Sequence, residues 1–406
     1  MLDFDTLSKL SAEFGNSFYL LESEQFRHNY STLKEAFSTY YFNFNIAYSY
    51  KTNYTPKLCN IVDHFGGFAE VVSDMEMEIA LKCGVSFEKI IWNGPVKNYE
   101  KVRELLLGGG IVNIDSLDEF QKICNIAQSL GDKKINIGLR CNYDVGDGVI
   151  SRFGIDVKEK DFDNILKTIS SIGNINLSLL HAHFAKRKPE YWTERSKGIL
   201  DVYNYISEKY GLKPKFIDLG GAIYGNMPKS LKSQLGVENV CFNDYAVRSA
   251  KIFAERFRNE EEKPVLLIEP GSALAGDSML FVCRVESIKT LRGKTFATVC
   301  GSQKNISMSG VNPPIEIIAS DGERNFYSDV DIVGYTCIEG DVLQKNYCGK
   351  LAVGDFIVVR NCGSYSLVMK PPFILPNFPV LDISGEGVEV IKRAETFDDL
   401  FKTFVF

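Results

Sequence analysis

The sequence predicts an α/β fold, a (β/α)8 TIM-type barrel followed by a mostly-β domain, on three observations. From residue 44 to about 268, short apolar runs alternate with longer amphipathic segments, the rhythm of βα units repeated around a parallel sheet. The runs number eight, the count that closes a barrel. After Gly271 the helical periodicity gives way to strand-rich stretches such as MLFVCRVESIKTL, FATVC and DFIVVRNC, with Gly and Asp turns between them.

Taken in order, the candidate barrel strands are Phe44–Tyr50, Gly67–Val71, Lys89–Trp92, Ile111–Asn113, Ile135–Arg140, Leu177–His181, Phe216–Leu219 and Val265–Ile268. Between them lie helical stretches. In Ser73–Cys83 (SDMEMEIALKC), Ser73 is placed to cap and Glu76 to complete a capping box; Tyr191–Tyr210 is another helix. Residues 16–22, NSFYLLE, read as a strand ahead of the first unit. The expected division is 1–25 as an N-terminal strand segment packing with the C-terminal β domain, 26–270 as the barrel, and 271–406 as the β domain with a C-terminal extension. A chain of 406 residues exceeds what one core supports.

Apolar residues at 45% and charged residues at 24% describe an ordinary globular protein with a sizeable core. The net charge is -6 and no block of Lys or Arg appears, which argues against nucleic acid as a partner. The opening MLDFDTLSKLSAEFGNSF is acidic where a secretory signal is basic, and no apolar run approaches the ~20 residues that span a bilayer. A cytoplasmic protein without a membrane partner is expected. Ten cysteines without a C-x-x-C pair argue against a zinc ribbon and a disulfide framework; most are expected to be buried small apolar groups.

In such a barrel, chemistry gathers at the C-terminal ends of the strands, where the βα loops form the open rim. Lys51 closes the strand IAYSY, where desolvation can leave a neutral amine able to form an imine; the plain alternative is a solvated lysine at a loop start. Asp218-Leu219-Gly220-Gly221-Ala222 follows another strand, and its small residues either let backbone amides approach a phosphate or simply make a turn. No Walker lysine motif or full G-x-G-x-x-G accompanies it, so neither a nucleoside triphosphate nor a dinucleotide is expected. His181-Ala182-His183 ends the sixth strand with both imidazoles on one side. Metal ligation there lacks a matching carboxylate motif, so no metal is expected and a ring-stacking histidine is the better reading. Glu269, at the end of the eighth strand, needs a cationic or donor partner; a protonated pyridine nitrogen is one, and Arg140 at the end of the fifth strand is another.

In their order along the chain, YLLE, AYSYKTN, FGGFAEVVSDMEMEIALKCGV, NGPVKNYEKV, VNIDSLDEF, LRCN, SRFGID, HAHF, DLGGA, IEPGS, GYTCIEGDVL and CGSY resemble the fold-type III PLP-dependent decarboxylases, the group of diaminopimelate and ornithine decarboxylases. The resemblance implies pyridoxal 5′-phosphate (PLP) as cofactor, a small amino-acid-type substrate, and a homodimer with shared active sites. Lys51 looks like the lysine that holds the cofactor as a Schiff base, His183 like the histidine stacked on its ring, and Glu269 like the partner of the pyridine nitrogen. Gly220, Gly221 and Ala222 look like the phosphate loop, with Gly271, Ser272 and Tyr365 as further phosphate contacts; Arg140 and Glu70 match positions near the cofactor. Cys337 resembles the cysteine that reaches the site from the second subunit and returns a proton to the substrate carbon.

Four departures stand out. Ala185 and Lys186 replace a Gly-Ser whose serine contacts phosphate, and Lys186 is a candidate substitute; Ser272 replaces an arginine; Ala222 replaces a third glycine; and Ile338 stands where the family has an acid that binds the distal ammonium of a diamino acid. Leaving that ammonium unpaired in a closed site costs several kcal/mol. The implied reaction is decarboxylation of an amino acid or conjugated amino acid, not a free diamino acid. Glu339 is the possible replacement acid, although in an extended segment it faces away from Ile338. A racemase or epimerase on the same barrel, and a PLP-binding protein without turnover, are the alternatives.

Overall fold

Eight parallel strands, Phe44–Ser49, Phe68–Val71, Ile90–Trp92, Ile111–Ile114, Ile135–Asn142, Ile175–His181, Phe216–Asp218 and Val265–Ile268, follow one another around a closed barrel. The coordinates are a computed structural model that describes residues 2–237, 239–306, 311–320 and 322–405. Closure comes from the last strand, which pairs with Phe216–Asp218 on one side and with Phe44–Ser49 on the other, Leu266 opposite Phe44 and Ile268 opposite Ile46. Ala47, Ile91, Ile111, Leu179, Phe216 and Leu267 pack together as one buried cluster. Each larger member stabilises the barrel by roughly 2 kcal/mol, so the frame that carries the rim loops is fixed by apolar packing.

Two helices begin alike. Ser73 caps Asp74–Lys82 by accepting the Glu76 amide at 3.2 Å, and Ser116 caps Leu117–Ser129 by accepting the Glu119 amide at 3.3 Å. The returning carboxylates skip the cap residue: Glu76 accepts from Val72 N–H at 2.8 Å and Glu119 from Asp115 N–H at 2.7 Å. The capping box expected at Ser73 is therefore shifted by one residue, tying each helix start to the end of the preceding strand. The helix expected over Tyr191–Tyr210 runs from Glu190 to Tyr210 and stops at Gly211, whose φ of 67° suits glycine.

The chain divides into two units, one of residues 28–225 and 239–273, which contains the barrel, and one of residues 1–27, 226–238 and 274–406. In the second, Ser17–Leu21 lies between Met279–Leu291, to which it is antiparallel, and Val380–Asp382, to which it is parallel. All five of its residues are buried. Leu7, Leu10, Phe18, Leu20, Leu280, Val282, Phe356, Val358 and Leu381 form the core beneath it.

All ten cysteines are free thiols, but only Cys59, Cys141, Cys283 and Cys362 are buried, fewer than the sequence led one to expect. Cys241, Cys337 and Cys348 are exposed because they lie in loops and on β-domain strands away from the core. Among the described residues no helix is long and apolar enough to cross a membrane.

Candidate active site

Lys51 leaves the strand Phe44–Ser49 in a single 3-10 turn, Tyr50–Thr52, and its Nζ pairs with Glu70 while donating to Ser49 Oγ at 3.1 Å. Glu70 sits on the neighbouring strand in register with Ser49, whose hydroxyl also donates to it. The carboxylate is wholly buried, whereas about a third of the lysine side chain, 34%, is exposed. An amine is thus held at a strand end beside a buried carboxylate, with part of its side chain exposed.

Glu269, 3% exposed at the end of the last strand, is the second buried carboxylate. His181 Nε2 stands 3.2 Å from one of its oxygens and His183 Nδ1 3.6 Å from the other. Burial alone would raise its pKa, but the facing His181, with Lys51 adding to it, holds the carboxyl well below the usual range. The nearby Asp218 goes the other way: burial, reinforced by Glu269, pushes its carboxyl well up. Glu269 therefore carries the charge of the pair and Asp218 the proton. Ligating atoms of His181, Asp218 and Glu269 lie within 4.8 Å of one another, a buried cluster that spacing along the sequence did not reveal.

His183 Nδ1 accepts the Gly221 amide at 2.9 Å, which requires an unprotonated nitrogen. Desolvation by the surrounding protein pulls its pKa down to about 4 despite Glu269, so the ring is neutral at physiological pH. The two histidine rings are near-parallel, 11° apart.

Asn93, in the turn after Ile90–Trp92, links the two carboxylates. Its Nδ2 donates to Glu70 at 3.0 Å and also to Glu269, while its Oδ1 accepts from Asn113. Gly138, opposite Asn113 on the next strand, makes room: a Cβ there would lie 1.7 Å from Asn113 Oδ1. The sequence reading missed Asn93 because an Asn after a strand ordinarily signals a turn. Asn93→Asp replaces two donors with a further buried carboxylate between Glu70 and Glu269, and we expect it to lose about 3 kcal/mol of stability at pH 8 in denaturant titration. The cluster must then bind a proton in the folded state, so its folded pKa is raised and the deficit should shrink toward pH 5.5. A deficit independent of pH would show that the amide does not restrain these charges.

The loop after Phe216–Asp218 turns on Gly220 and Ala222, both at φ 68°. A Cβ on Gly221 would lie 2.5 Å from Glu269 O. Ala222 occupies a left-handed position that favours glycine, at a cost of about 1–2 kcal/mol. The Gly220 amide donates to Asp218 Oδ1 at 2.8 Å and that of Gly221 to His183, leaving the Ala222 amide without a partner among the described residues. Gly271 abuts Thr52, where a Cβ would lie 1.9 Å from Oγ1, and Ser272 opens the short helix Ser272–Ala275. Arg140 pairs at 3.6 Å with Asp115 and lies over the Phe153 ring, so its charge partner is Asp115, not Glu269. Lys186 is exposed.

In the other unit, Tyr365 is half-buried with φ 61°. Cys337, Ile338 and Glu339 are exposed on a turn in which Asp341 N–H donates to Ile338 O at 2.9 Å. Because the segment turns, the alternation expected of an extended strand does not apply to Ile338 and Glu339. Asp341, by contrast, is 6% exposed and engaged by Ser302, the Gln303 amide and Thr336.

The family described as pyridoxal-dependent decarboxylase, pyridoxal binding domain, matches residues 23–276, more than half of the chain. The chain is 24% identical to the diaminopimelate decarboxylase of Methanothermobacter thermautotrophicus, across 97% of this chain and 92% of that protein. It is 26% identical to the L-glutamyl-[BtrI acyl-carrier protein] decarboxylase of Niallia circulans, across 99% and 96%. The crystal structure of diaminopimelate decarboxylase from M. jannaschii shares the fold with a TM-score of 0.87 at 23% identity, covering 98% of this chain and 94% of the other.

Proposed function

The chain belongs to the pyridoxal-dependent decarboxylase family, and from that premise we propose that its substrate is an amino acid whose distal group is acylated or uncharged, not a free diamino acid. The activity is that of a PLP-dependent carboxy-lyase. When bound, the cofactor supplies an electron sink for the charge left when carbon dioxide departs.

The barrel unit fits such a group. In our reading Lys51 binds its carbonyl carbon, and Glu70 holds that amine at the strand end. Glu269, ionised and buried, faces the ring nitrogen, and His183 offers a neutral ring face. The Ala222 amide, without a partner among the described residues, would receive the phosphate beside Gly220, Gly221 and Gly271, where a Cβ would collide with His183, Glu269 and Thr52; Ser272 and Tyr365 would add to that contact, and Arg140 would stay near the cofactor, restrained by Asp115. The working form is a cytoplasmic homodimer in which Cys337 of one subunit serves the Lys51 site of the other.

One observation carries the substrate reading. Ile338 stands exposed on its turn where the family has its ammonium-binding acid, and Asp341 on the same turn is already engaged by Ser302, the Gln303 amide and Thr336, which takes it out of consideration as a replacement. The name of the Niallia circulans relative, a decarboxylase of a carrier-bound glutamyl group, fits a conjugated substrate.

The test is carbon dioxide release from lysine, ornithine and diaminopimelate beside their distally acylated forms and carrier-linked amino acids. We expect the conjugated forms to turn over and the free diamino acids to fail, with Ile338→Asp gaining measurable activity on the latter. Efficient turnover of a free diamino acid with the acylated form inert would refute the reading and point to Glu339.

A further inference from the structure

We propose that Arg195 is the hidden cation of the cofactor's phosphate site, acting through the peptide groups of the loop Leu219-Gly220-Gly221-Ala222; this rests on the cofactor assignment above. Arg195 lies in the second turn of the helix Glu190–Tyr210, is 0% exposed, and has no carboxylate within ion-pair distance among the described residues. A buried guanidinium without a counter-ion is heavily penalised, so its position needs a reason.

What surrounds it is backbone and aromatic ring. Nη1 donates to Leu219 O at 3.0 Å and to Gly221 O at 2.8 Å, and Nη2 donates to Phe184 O at 2.9 Å. The guanidinium also lies 4.6 Å from the centroid of the Trp192 ring, and its Nε is buried without a partner. Two of the three carbonyls alternate along the proposed phosphate loop. A trans peptide points its C=O and N–H in opposite directions. Drawing the Gly221 carbonyl onto Arg195 therefore turns the Ala222 N–H to the opposite side of the loop, where none of the described residues receives it. The same grip on Leu219 O sets the Gly220 N–H, which goes to Asp218.

The cation polarises both peptides and makes their amides stronger donors. A full positive charge thus stands behind an unused amide, a combination that suits a phosphate monoester dianion. It also supplies charge in a chain that has Ser272 and Ala185 where the resembling family has an arginine and a glycine, and Lys186 in place of the phosphate-contacting serine.

The experiment compares equilibrium binding of PLP and of pyridoxal, the same ring without phosphate, to the full chain stripped of cofactor. Arg195→Gln should weaken PLP binding at least tenfold and leave pyridoxal binding within about twofold of wild type, because only one ligand carries the anion. Arg195→Lys, which keeps the charge, should recover part of the preference. Equal weakening of both ligands would reveal a merely structural role and overturn the proposal. If Arg195→Gln does not fold, wild type decides: inorganic phosphate should raise its melting temperature and compete with PLP but not with pyridoxal, and absence of that competition overturns the proposal too. A wild-type chain that binds neither ligand would bring down the cofactor assignment itself, a different failure from an unchanged preference in a PLP-binding protein.

Discussion

Lys51→Ala should abolish carbon dioxide release altogether, and with it the fixation of a pyridoxyl group by borohydride. Lys51 and Lys97 are both bonded to buried carboxylates near the barrel rim, and their surroundings separate them. Lys97 is 8% exposed, pairs with Glu119 at 2.5 Å and donates to the carbonyls of Gly94 and Asn113, so its ammonium hydrogens are all engaged and desolvation by burial lowers its pKa only against that partner. Lys51 is held by Glu70 and Ser49 with a third of its side chain open. Of the two, Lys51 is the one expected to present a nitrogen to a carbonyl carbon. Lys51→Arg refines the test, because a guanidinium keeps the pairing with Glu70 but is never a neutral amine. It should therefore melt near wild type and be as inactive as the alanine variant. Peptide mapping after reduction gives the direct answer: the label on Lys97 or elsewhere, or full activity in Lys51→Arg, would remove Lys51 from the chemistry.

The barrel was legible because its strands are short apolar runs ending in charged or small residues, and eight such runs leave few other closures. Lys51, His183 and Glu269 were legible for the same reason, since each stands at the end of such a run. Other features depend on geometry that one-dimensional spacing does not contain. Asn93 matters only because Glu70 and Glu269, 199 positions apart in the chain (269 − 70), end on neighbouring parts of one rim. Arg195 sits in mid-helix between ordinary helix residues, and nothing in TERSKG marks it as buried. The turn at Ile338 was not legible, because it is closed by the Asp341 carboxylate accepting from the amide and hydroxyl of Thr336, a contact that local spacing does not announce.

Cys337→Ala should leave the cofactor's absorbance intact and slow turnover by about 10²–10⁴-fold, the usual worth of a positioned general acid. The turn that carries it is held by Asp341 with Ser302, Gln303 and Thr336, and by the amide of Asp341 on Ile338 O; none of these bonds uses the thiol. Removing the sulfur should therefore delete the proposed proton donor without unfolding its support. Cys337 and Lys51 belong to different units of the chain, so which chain supplies each is itself measurable. When Lys51→Ala and Cys337→Ala chains are co-refolded in equal amounts, half of the dimers are mixed. If the site is shared, each mixed dimer has one site with both defects and one with neither, so about a quarter of all sites recover. If each chain built its own site, every site would carry one defect and no activity would return. An unchanged rate for Cys337→Ala on the true substrate would move proton delivery to another group, and Glu339, exposed on the same turn two positions on, would be the next residue to replace.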